Sequence, residues 1–64
     1  MAPYRIELHD ETGAVRQVHT DLSHDDDAAI DHAGRFAHPH EINVWQEQRH
    51  VARFPPVWPY RRVT

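Results

Sequence analysis

Cysteine is absent from this 64-residue chain, and so is lysine. Without cysteine there is neither a disulfide nor a thiolate metal site to staple a small fold. A domain of this size buries only about 60% of the surface its unfolded chain exposes, so extra stability has to come from packing, a histidine-based metal site or self-association. Serine occurs once, as Ser23, which leaves little for a hydroxyl-nucleophile mechanism. No apolar run approaches the roughly 18 residues that cross a bilayer, and no signal peptide is visible. A cytoplasmic location and no membrane partner are therefore expected.

All seven basic residues are arginine, against ten acidic residues and seven histidines, for a net charge of −3. The sign is unevenly spread. Residues 1–34 hold two Arg and eight Asp or Glu, whereas residues 35–64 hold five Arg and two Glu. Such asymmetry can hold the two halves of a fold together or support contacts between copies.

Tyr4-Arg5-Ile6-Glu7-Leu8-His9 alternates apolar and polar residues and reads as a half-buried strand. Asp10 to Gly13 supplies a hairpin turn, and Ala14 to Thr20 the returning strand. The odd spacing of Val15 and Val18 predicts a bulge near Arg16 or Gln17. Ser23 to Phe36 reads as the one helix. Ser23 is its N-cap, Asp25, Asp26 and Asp27 fill the first turn, and Ala29, Ile30, Ala33 and Phe36 form an apolar stripe. Gly34 weakens that helix but permits close approach to the sheet. Pro39 closes it.

Glu41 to Gln46 and Arg49 to Phe54 form a second hairpin. Strict alternation sets Ile42, Val44 and Val51 on one face and Trp45, Ala52 and Phe54 on the other. The expected fold is α+β: a four-stranded antiparallel sheet from two hairpins with one helix on one face, a ββαββ domain over residues 1–54. An extended Pro/aromatic tail over residues 55–64 packs on the domain or a partner. One helix covers one face of a sheet. The apolar residues on the far face then need a cover, either the tail or a second copy.

The predicted interface comprises Trp45, His50, Ala52, Phe54, Trp58 and Tyr60, with the chain itself as the expected partner and another protein as the alternative. Arginine beside Trp and Tyr is the composition of interface hot spots. Arg49, Arg53, Arg61 and Arg62 among those aromatics also suit single-stranded nucleic acid, but the acidic balance disfavours that reading. His38 and His40, with His24 and His32 on the helix, make a weak metal candidate whose spacing matches no zinc motif, so no metal or cofactor is expected. The acidic triplet fans around a helix rather than alternating as in a calcium loop. No catalytic residue stands out, and a non-enzymatic interaction module is the function expected.

Taken together, the strand–turn–strand, the acidic capped helix and Val44-Trp45-x-x-x-Arg49-x-Val51-Ala52-Arg53 resemble a group of short single-domain proteins common in alphaproteobacteria. These share a ββαββ plan and such a last hairpin. The resemblance implies a fold over residues 4–54 and no activity.

Overall fold

The computed structural model describes residues 1–56, and Trp58, Tyr60, Arg61 and Arg62 lie outside them. Five elements follow in chain order: β1 (Ala2–His9), β2 (Val15–Ser23), α1 (Asp26–Ala33), β3 (Ile42–Gln46) and β4 (Arg49–Phe54). The strands form one antiparallel sheet in the order β2-β1-β3-β4, with the helix on one side. This is the ββαββ α+β architecture that the hydrophobic pattern predicts.

The alternation in β1 decides the layering. Tyr4, Ile6 and Leu8 are buried and meet Ile42 and Val44 of β3 and Ala29 and Ala33 of α1 in the core. The helix can come this close because its inward stripe is alanine. Gly34 continues the small stripe: a Cβ there would stand 3.5 Å from the Phe54 ring.

The β1–β2 turn is built by Asp10. Its carboxylate accepts from Thr12 N at 2.9 Å, Thr12 Oγ1 at 2.6 Å and Ala14 N at 3.1 Å, while Gly13 takes φ 91°. Three acceptor bonds favour the charged form, and the Thr12 hydroxyl contributes most to holding the Asp10 carboxyl below its ordinary range. Immediately beyond the turn the register shifts: Leu8 faces Gln17 but His9 faces Val15, so Arg16 is the extra residue of the expected bulge.

Three boundaries around the helix differ from the sequence expectation. β2 runs three residues past Thr20, with Ser23 opposite Ala2. The helix accordingly starts later, and its N-cap is Asp25 rather than Ser23. Asp25 is extended at φ −156° and accepts from Ala28 N at 2.9 Å. The Ser23 hydroxyl is occupied elsewhere, donating to Asp21 at 2.5 Å. At its other end the helix stops at Ala33. Arg35 N and Phe36 N reach back three residues, to the His32 and Ala33 carbonyls, in a tighter final turn.

The larger correction concerns β4. Gln46 pairs with Arg49 and Trp45 with His50 across the two-residue loop Glu47-Gln48, Glu47 taking φ 54°. Val44, however, faces Ala52 rather than Val51. Val51 is the surplus residue of a bulge, and everything after it changes face. Ala52 and Phe54 therefore lie on the helix side opposite Val44 and Ile42, and both pack against the core. They do not belong to the far face with Trp45. The physical reason is charge: strict alternation would have turned Arg53 into the core and Phe54 out to water.

Candidate interaction face

With α1 on one side, the other side of the sheet is open among the described residues. The register fixes its population. Arg5, Glu7 and His9 of β1 stand between Leu22, Thr20, Val18 and Val15 of β2 and Asn43 and Trp45 of β3, with His50 and Arg53 of β4 beyond. Two different surfaces result.

Over β1, β3 and β4 the face is a connected polar network. Trp45 Nε1 donates to Glu7 Oε1 at 3.1 Å, and Arg5 Nε donates to Glu7 Oε2 at 3.0 Å. The Arg5 guanidinium lies 5.6 Å from the Trp45 ring centre, and the His50 ring packs 4.7 Å from it. Asn43, almost fully buried, is the hub. Its amide nitrogen donates to Glu41 Oε2 at 2.6 Å and lies 3.2 Å from His9 Nε2, and its oxygen accepts from His50 Nε2 at 2.8 Å. His9 Nδ1 in turn lies 2.9 Å from the Gly13 carbonyl, so with Nδ1 protonated Nε2 accepts from Asn43. Hydrogen bonds from Asn43 first, then Arg53, hold the Glu41 carboxyl below its usual range.

Over β2 the face is apolar and wet. Val15, Val18 and Leu22 are 48%, 53% and 60% exposed. The sequence reading uses Val15 and Val18 only to place the bulge, and so does not mark these three as surface features. The helix meets β2 at its far end, where His32 reaches Asp21 and Ser23, and the strand is exposed from Val15 to Thr20, with the His19 ring packed 4.9 Å from Phe36.

Of the expected interface residues, Trp45 and His50 are together on the open face, while Ala52 and Phe54 are under the helix. Arg49 is engaged on the helix side: it grips Asp26 with two bonds of 2.9 Å, and Tyr4 OH donates to the same carboxylate at 2.8 Å. The Arg49 guanidinium first, then the Tyr4 hydroxyl, pull the Asp26 pKa down to about 2. Arg53 reaches Glu41 at 3.2 Å. Both described arginines of the nucleic-acid reading thus already have acidic partners.

His38 and His40 meet edge to face at 5.8 Å, beside a groove of about 440 Å³ lined also by His9, Asp10, Thr12 and Arg16. His38 Nε2 is taken up by the His9 carbonyl at 2.6 Å. Among the described residues no three His, Asp or Glu side chains converge as metal ligands, and no helix is long and apolar enough to cross a membrane.

Ser23, His32 and Asp21 do come together, as a serine–histidine–aspartate cluster. Its wiring is that of a clamp. Ser23, 1% exposed, donates its hydroxyl hydrogen bond to Asp21, and His32 Nδ1 reaches the same Asp21 oxygen at 2.6 Å. The imidazole nitrogen nearest Ser23, at 3.3 Å, is that same Nδ1, so no free base nitrogen faces the hydroxyl. The His32 hydrogen bond, then that of Ser23, lowers the Asp21 pKa. The cluster ties the end of β2 to α1.

Comparison with protein-family models, curated proteins and solved structures finds no match for the chain.

Proposed function

We propose that the chain is a small non-enzymatic interaction module, acting in the cytoplasm, that associates with a second copy of itself through the helix-free side of its sheet. The observation that carries this reading is the apolar border of that side. Val15, Val18 and Leu22, each about half exposed or more, line one strand of a face whose remainder is a satisfied polar network around a half-buried tryptophan. Such a border beside a charged field is what a contact surface needs: apolar area for affinity, and placed charge for register and partner choice. The chain is also small enough that association adds materially to its stability. Nucleic-acid binding has less support, since Arg49 and Arg53 are paired with Asp26 and Glu41.

Light scattering on tag-free protein with chelator present tests the reading. Expected is a mass approaching twice 7.5 kDa as concentration rises through the micromolar range. A mass that stays at 7.5 kDa up to millimolar protein overturns it.

A further inference from the structure

The two edges of the sheet are not equivalent. β4, six residues long, carries the Val51 bulge, Arg49 and Arg53, and runs straight into Pro55-Pro56. Bulges, charges and prolines are the devices by which natural sheets keep an edge from pairing with another chain. β2 is nine residues long and pairs with β1 alone among the described residues. Its single bulge lies at Arg16, so Gln17 to Ser23 is regular, contains no proline, no arginine and one carboxylate, Asp21, and presents a row of backbone donors and acceptors with little to guard it.

We propose that the contact between copies is made at the border of the helix-free side, edge to edge rather than face to face: β2 of one copy pairs antiparallel with β2 of a second copy about a two-fold axis through Thr20, joining two four-stranded sheets into one of eight strands. The inference rests on the chain associating with itself, and adds where and in what register. A two-fold perpendicular to the sheet keeps helix sides together, so each residue must face one of its own side. Centred on Thr20, the pairing sets Val18 opposite Leu22 of the second copy, twice, on the open side. On the helix side it sets His19 opposite Asp21 of the second copy, again twice, a carboxylate whose Oδ2 is held by Ser23 and His32 of its own chain and whose other oxygen faces the imidazole. Cross-strand apolar pairs and pairs of a base with a carboxylate are the favourable kinds. Shifting the centre to His19 would instead oppose the two His19 rings and set Leu22 against Arg16. Shifting it to Val18 would carry the pairing across the Arg16 bulge. The Thr20 register alone matches apolar to apolar and acid to imidazole within the regular segment.

Because the chain has no cysteine, one substitution reads the register directly. In Thr20→Cys the new thiols face each other across the axis. Directly opposed Cα atoms stand about 4.5–5.5 Å apart, inside the range a disulfide spans. Expected under mild oxidation is near-complete conversion to a covalent dimer, with Thr12→Cys at the hairpin tip staying at least tenfold less cross-linked. Thr20→Lys puts two ammonium groups at the same point on an already exposed site and should weaken association at least tenfold without changing the monomer's circular dichroism. A wild-type protein that is dimeric while Thr20→Cys does not cross-link and Thr20→Lys remains dimeric overturns this seam and leaves self-association standing. A wild-type monomer at every concentration overturns both.

Discussion

Asp26 concentrates more interactions than any other side chain of the helix. It stands in the first turn, where a carboxylate is favoured by the exposed N–H groups, accepts the Tyr4 hydroxyl and receives both arms of Arg49. It thereby ties the helix start to β1 and to the β3–β4 turn. Its carboxyl titrates near 2 against an ordinary 3.8, so the native state holds the charged form more tightly than the unfolded chain does. The linked stability is complete above pH 4 and is lost as pH falls toward 2. Asp26→Asn should therefore unfold more easily at pH 6 and lose less of its remaining stability between pH 4 and pH 2 than the parent. Urea midpoints across that range check this, and parallel acid slopes for the two proteins would count against it. Gly34 offers the opposite kind of test. Its backbone is right-handed at φ −67°, ψ −13°, and a Cβ would meet Phe54 at an ordinary 3.5 Å. Gly34→Ala should stabilise by about 0.4–1 kcal/mol through the unfolded chain's lost freedom, seen as a raised melting temperature.

At the scale of elements, the β4 bulge has the widest consequences. It moves Phe54 beneath the helix and leaves Trp45 outside, so two aromatics that alternation puts on one face have different energetic roles. Phe54→Ala should cost about 2–3 kcal/mol, from a partly buried ring against Ile42 and the Gly34 turn, and Trp45→Ala less than half of that. Equal losses in urea unfolding would mean that Trp45 is as much part of the core as Phe54. The sequence carried β1, both hairpins, a bulge near Arg16 or Gln17 and the acidic first turn of the helix in plain form, because each follows from a local rule: alternation, a turn residue, negative charge at a helix N-terminus. The β4 face was misassigned because a bulge is a tertiary decision. The available sign was that strict alternation sends Arg53 inward, a cost no local pattern registers. Ser23 was similarly ambiguous, a good cap by type but claimed in the fold by Asp21 and His32, which are distant in sequence. The polar hub at Asn43 had no sequence signature at all, since it joins β1, β3 and β4 through side chains that each read as solvated.

For the molecule as a whole, the strand order sorts the sheet into two protected strands and two borders. β1 and β3 are paired on both sides and carry Ile6 and Val44, which are essentially inaccessible to water. Their amides should exchange with solvent only through global unfolding, and so more slowly than all others. β2 is divided within itself. Alternate amides bond to β1, while the rest point outward at the edge, where a lone monomer leaves them to water. In dilute protein those outward amides between Gln17 and Ser23 should exchange rapidly. As concentration rises past the association constant they should slow together, because edge pairing turns them into ladder donors. Outward amides of β4, guarded by its bulge and by Pro55-Pro56, should keep their dilute-solution rates. Hydrogen exchange followed by NMR at two concentrations a hundredfold apart separates the two edges residue by residue. Protection that grows on β4, or on the Trp45 region while β2 stays open, would relocate the contact to the other border or to the polar face. Protection confined to alternate residues of β2 is the pattern that a strand-to-strand seam produces and a face-to-face contact does not.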